Sequence, residues 1–319
     1  MSKTHACKKI KINISSPLFI FDEMDGTFED YGENTYECAG RRLDTLPSDL
    51  EAALTYLNFN HNIITDVSEP LRSLSSLVHL HCSHNRLLSL PPLPDTLQVL
   101  RANTNKLTQL CKLPARLRML DIADNILTEL PELPDSLTTL YANGNYLSAF
   151  PTQIHSSLRV CVLSMNCFKS ISHVPSSVIE LHLFGNELTS LPELPACLET
   201  LGCGHNKLAS LPRLPVKLRY LDCSHNVLTH LPQIPDSVYY LKAAGNALVT
   251  LHGSAPAAME VLLATENVFE CETKLLKNGI CVSVEMWTSI QRRYARRVVR
   301  HVVTKGYEWT ACLCFIPMS

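Results

Sequence analysis

Glycine is scarce in this chain, at 11 of 319 positions, and none of it falls into a phosphate-cradling pattern. There is no G-x-S-x-G and no H-E-x-x-H, so nucleotide binding, serine hydrolysis and zinc-protease chemistry find no seat. Charge is also thin: 18% of residues are charged and the net charge is −2, which argues against nucleic acid as the partner of the whole chain. No apolar run reaches the ~18 residues that a membrane-spanning helix needs. The N-terminus carries Lys3, Lys8, Lys9 and Lys11 but no continuous apolar stretch of signal-peptide length, so classical secretion is disfavoured. The 13 cysteines lack the paired C-x-x-C knuckles of a structural zinc site. Cys82, Cys161, Cys203 and Cys223 stand where a buried apolar residue is expected and read as small core residues, and reduced thiols suggest a cytosolic place of work.

What the chain has in abundance is one sentence of about twenty residues, repeated. Clear copies are Leu117-Arg118-Met119-Leu120-Asp121-Ile122-Ala123-Asp124-Asn125-Ile126-Leu127 and Leu218-Arg219-Tyr220-Leu221-Asp222-Cys223-Ser224-His225-Asn226-Val227-Leu228. The shared pattern, L-x-x-L-x-L-x-x-N-x-L followed by x-x-L-P-x-L-P, is the leucine-rich-repeat signature, and self-similarity at this period specifies a solenoid. The ladder asparagines are Asn62, Asn85, Asn105, Asn125, Asn145, Asn166, Asn186, Asn206, Asn226, Asn246 and Asn267, which makes eleven repeats. Their spacings are 20 or 21 residues except the first, 23, which carries Ser68-Glu69-Pro70-Leu71-Arg72-Ser73 as extra chain. Each asparagine is expected at the turn leaving a short strand, its amide bonding backbone groups of adjacent turns that burial would otherwise leave without partners.

Twenty residues leave too little chain for a regular helix in each turn. Segments such as Leu130-Pro131-Glu132-Leu133-Pro134 and Leu191-Pro192-Glu193-Leu194-Pro195 favour extended backbone, since each proline ring fixes φ and removes a donor. The expected fold is therefore an α/β repeat: a leucine-rich-repeat solenoid with a concave parallel β-sheet and an extended or 3₁₀-like convex side. Residues 1–42 read as an N-terminal tail and cap, 43–270 as the solenoid, and 271–319 as a basic amphipathic helix with a C-terminal cap. In that last segment Trp287, Ile290, Tyr294, Val298 and Val302 recur at helical spacing, with Arg292, Arg293, Arg296 and Arg300 mostly off the stripe.

Side chains flanking the consensus leucine of each strand point to the concave face, because strand residues alternate sides. Among these positions and beside them, Tyr141, Tyr146, Met165, His182, Phe184, Tyr220, Asp222, Tyr240 and Lys242 stand out as candidate partner-binding residues. Exposed aromatics supply much of the binding energy at protein interfaces. Histidines are not assigned to a metal: His61, His84, His205 and His225 each precede a ladder asparagine, so the repeat itself accounts for them, and no acidic third ligand shares the register of His79 and His81. No catalytic residue, cofactor or metal is expected.

At the L-P-x-L-P segments, over roughly Leu43 to Phe269, the chain resembles the LPX-type leucine-rich-repeat effectors that pathogenic bacteria deliver into host cells. The resemblance implies a binding protein released by a bacterial delivery system without a classical signal peptide and acting on a protein partner, of host or bacterial origin, in the host cytoplasm. Some members carry a large C-terminal ubiquitin-ligase domain whose nucleophilic cysteine lies in a C-x-D motif. None of the 13 cysteines here is followed two residues later by Asp, so ligase activity is not carried over and the chain is expected to be no enzyme. Two alternatives stay open: a substrate-recognition arm of a ligase-type effector, and docking on anionic membrane through Arg292, Arg293, Arg296 and Arg297.

Overall fold

A computed structural model describes residues 34–47, 49–150, 157–249, 261–263, 267, 275–277 and 280–282. The basic segment expected to form a helix at 283–303 lies outside the described residues. Three-residue strands recur with the repeat: β1 (Thr35–Glu37), β2 (Tyr56–Asn58), β3 (His79–His81), β4 (Val99–Arg101), β5 (Met119–Asp121), β6 (Thr139–Tyr141), β7 (Val160–Val162), β8 (Glu180–His182), β9 (Thr200–Gly202), β10 (Tyr220–Asp222), β11 (Tyr240–Lys242) and β12 (Val261–Leu263). Two compact units, Met1–Leu181 and His182–Ser319, divide inside β8. In the first, β1 to β7 pair in sequence order, all parallel. In the second, β9 to β12 do the same.

The strands are short because one buried consensus residue at the centre, a leucine in most of them and Cys161 in β7, is enough to fix a strand. Leu57, Leu80, Leu100, Leu120, Leu140, Leu201 and Leu221 are buried, and the flanking residues of most strands are half-buried on the other face. Full burial of such a side chain contributes about 2 kcal/mol. Cys82, Cys161, Cys203 and Cys223 lie in the core with these leucines and are free thiols. Burial pushes the Cys161 and Cys223 thiols up to about 12, which keeps them protonated and unreactive.

Each ladder asparagine forms the bonds its position demands. Asn105 accepts the Leu87 N–H at 3.0 Å and donates to the carbonyls of Cys82, Ala102 and Asn103 at 3.0, 3.1 and 3.3 Å. Asn125 repeats the scheme one turn later with Leu107, Ala102, Ile122 and Ala123. A second, smaller spine lies on the other side of the repeat. The hydroxyls of Thr96, Ser136, Ser177 and Ser237 each donate to a carbonyl of the preceding repeat, at 2.7, 2.7, 2.8 and 2.7 Å.

Between strands the Leu-Pro segments are extended, and each ends in a turn whose N–H donates to the second proline's carbonyl, as from Leu117 to Pro114 at 3.1 Å and from Leu218 to Pro215 at 3.0 Å. No 3₁₀-helix forms among the described residues, because two prolines in five positions remove the donors that successive helical turns need. The extra chain of the first interval forms α1 (Ser68–Arg72), entered through Asp66, whose carboxylate accepts the Ser68 N–H and hydroxyl. After the repeats, β13 (Leu275–Lys277) and β14 (Ile280–Val282) pair antiparallel.

Candidate partner-binding face

The turn that leaves each strand uses a left-handed residue directly before the ladder asparagine. His61, His84, Thr104, Asp124, Met165, His205 and His225 all take φ between 51° and 55°, and Gly144, Gly185 and Gly245 occupy the same position in other repeats. This conformation carries successive side chains into a column beside the strand face. The histidines before the asparagines therefore have a structural setting: the His61 and His84 rings stack at 4.2 Å, 10° from parallel, and His205 and His225 lie 4.2 Å apart.

In the second unit these rings meet the strand aromatics. Phe184 lies 4.7 Å from His205, and the Tyr220 and Tyr240 rings of β10 and β11 stack at 4.6 Å, 9° from parallel. The strands bring the tyrosines together because their register pairs residue 220 with 240. Gly202 and Gly204 open space on β9, into which neighbours lean: a Cβ on Gly202 would stand 3.1 Å from the His182 ring, and one on Gly204 3.0 Å from both Asp222 and Ser224. Burial, followed by the Asp222 charge, pushes the Tyr220 phenol up to about 12, so it stays a neutral donor. Burial and the neighbouring His225 lower His205.

Asp222 and Lys242 are paired at 3.1 Å. The aspartate is buried and also accepts the Ser224 hydroxyl at 2.6 Å and N–H at 3.0 Å, so it holds the strand end, leaving Lys242 as the more open member of the pair. His182 and Phe184 stand at and just after β8. His205 and His225 were not singled out as binding residues in the sequence; their recurrence before the ladder asparagine was the available signal, and it marks the left-handed position.

In the first unit, Tyr141 sits on β6, half-buried, in register with Asp121 and Val162. Tyr146, directly after Asn145, and Met165, directly before Asn166, are off the strands and are 59% and 58% exposed. Nearer the N-terminus, the Tyr56 hydroxyl meets His81 at 3.3 Å. Among the described residues no three His, Cys, Asp or Glu side chains gather into a metal-ligating group, and no helix is long and apolar enough to cross a membrane.

Comparison with known proteins matches this geometry. The family described as Leucine Rich repeats (2 copies) covers residues 53–95. YopM from Yersinia enterocolitica WA-314 superposes with a TM-score of 0.67 at 34% identity, over 74% of this chain and 53% of that one. The chain has the leucine-rich-repeat fold and is similar to YopM. A second YopM structure, described as a leucine-rich effector protein from Yersinia pestis, matches with a TM-score of 0.65 at 27% identity, over 76% of this chain and 82% of that one. Human oligodendrocyte-myelin glycoprotein is 44% identical over 62 residues, 19% of this chain and 14% of that protein. The chain thus spans about half the length of the first YopM structure and a small part of the curated relative. The YopM-like solenoid supports a protein-binding scaffold.

Proposed function

We propose that this YopM-like chain is a non-enzymatic effector whose strand face grips a partner protein as adaptor, decoy or inhibitor, delivered by a bacterial system and acting in the host cytoplasm. The observation that carries this reading is the aromatic cluster of the second unit, in which the Tyr220–Tyr240 stack lies on adjacent strands and Phe184 leans on His205. Rigid aromatic groups offer large contact area at low entropic cost. Asp222, with Lys242 paired to it, fixes the strand ends that present them. The description of one similar protein as an effector supports the same assignment.

The test is affinity capture from host-cell lysate with the wild-type chain and with Phe184→Ala plus Tyr240→Ala, each partner being identified by mass spectrometry and its affinity remeasured with purified protein. A loss of about tenfold with an unchanged melting transition is expected, since interface aromatics each carry over about 1 kcal/mol. Equal affinity of both proteins for every captured partner would remove the second-unit face from the binding site. Tyr141→Ala, tested alone, reports on the first unit.

A further inference from the structure

Away from the strand face, the residues that follow the first four ladder asparagines form a stretch of a column of their own in the first unit. Backbone bonds set it: the N–H groups of Ile63, Arg86, Lys106 and Ile126 donate to the carbonyls of Leu43, Ile64, Leu87 and Leu107 at 2.9, 2.9, 2.9 and 3.1 Å. Repeats that follow a parallel sheet are about 4.8 Å apart, so these four residues span roughly 15 Å. Their order is apolar, basic, basic, apolar, and all four are exposed, Ile63 and Ile126 by 40% and 41%. Arg86 and Lys106 make no ion pair among the described residues. In the adjoining left-handed column lies the His61–His84 stack. Asp124, further along that column, leans over Gly144 instead of toward the basic pair.

A single exposed isoleucine is ordinary on a protein surface. Two of them bracketing an unneutralised basic pair, in a register held by main-chain bonds, make a pattern that a ligand can read. We propose that this column docks a short acidic segment of a partner polypeptide, with two carboxylates on Arg86 and Lys106 and apolar side chains on Ile63 and Ile126. A span of about 15 Å takes four to five residues of extended chain at ~3.4 Å each. The Arg86 guanidinium suits bidentate carboxylate recognition. The apolar ends favour a polypeptide over a nucleic acid or an anionic bilayer, either of which would set phosphates against Ile63 and Ile126. This surface lies off the strand face, so it stands or falls independently of the partner site proposed above.

The test uses the full chain and a fluorescein-labelled peptide, Gly-Ser-Leu-Glu-Asp-Leu-Ser-Gly, titrated at low salt with anisotropy as the readout. Saturable binding is expected, weakened about tenfold by Arg86→Glu with Lys106→Glu and about fivefold by Ile63→Ser with Ile126→Ser. Because all four side chains are exposed, circular dichroism melting should be unchanged in both variants. Arg86→Gln with Lys106→Gln gives an independent pair should the charge reversals perturb folding. Absence of saturable peptide binding, unchanged affinity in the neutralised or reversed variant, or tighter binding of a single-stranded oligonucleotide or of phosphatidylserine vesicles would each overturn the proposal.

Discussion

The Tyr56 hydroxyl and Nδ1 of His81 meet at 3.3 Å inside the first unit, with the two rings edge to face at 5.1 Å. Burial, followed by the charge of Arg101 and the nearness of His79, pushes the His81 imidazole down to about 3. In the unfolded chain a histidine titrates near 6.5. The unfolded state therefore binds a proton that the folded state refuses between those two values, and stability falls as pH drops through that window. Chemical denaturation between about pH 7 and pH 4 should show this loss, approaching 1.4 kcal/mol per pH unit for one proton. His81→Gln should flatten that component; superimposable stability-against-pH curves for the two proteins would refute the assignment.

Asn105 ties two successive repeats through one accepted and three donated bonds. Asn105→Ala leaves a buried N–H and several carbonyls without their partner, so a loss of about 3 kcal/mol is expected from urea denaturation. Binding at distant residues should be untouched once folding is allowed for. Asn105→Asp tests the donor role: the carboxylate still accepts the Leu87 N–H but faces three carbonyls that it cannot serve, so it should be at least as damaging as alanine at neutral pH.

The left-handed position gives two opposite substitutions. Thr104 holds φ of 54° with a branched side chain, which is poorly suited to that region. Thr104→Asn should raise stability by about 1 kcal/mol, since asparagine tolerates the conformation. Gly245, at φ of 64°, has the His225 ring where its own Cβ would stand, with Nδ1 at 2.5 Å. Gly245→Ala should therefore destabilise by about 2 kcal/mol, combining backbone strain with overpacking. Thermal melts of the two variants should move in opposite directions.

The thiols offer a readout of the core. Cys111 is exposed, whereas Cys82, Cys161, Cys203 and Cys223 are buried, and burial raises each of the four well above the usual thiol range. Iodoacetamide on the folded protein, mapped by mass spectrometry, should modify Cys111 and spare those four until denaturant is added. Labelling of Cys203 at a rate close to that of Cys111 would contradict the packing.

The repeat was legible because its grammar is physical. A leucine every second or third position, an asparagine at a fixed offset and two prolines leave few ways to satisfy the backbone, and the structure follows them from β2 to β11. The extended backbone of the Leu-Pro segments was equally legible. Other features were hidden by their chemistry. The left-handed turn is filled by His61, Thr104, Asp124 and Met165 as readily as by Gly144, so no residue type announces it. The hydroxyl spine is carried by threonine in one repeat and serine in others. At the candidate face, the sequence identified Tyr220 and Tyr240 as surface aromatics, but their face-to-face stack depends on register, and the burial of Asp222 depends on Ser224 and Lys242 folding around it.

Every bond made by Asn105 or Asn125 reaches no farther than the repeat before it. Excision or duplication of one whole twenty-residue period in the gene would therefore leave each remaining asparagine with the same set of partners. Repeat number is a quantity that in-frame recombination can change in a single step, so a lineage carrying this fold can lengthen or shorten its recognition surface without redesigning any one turn.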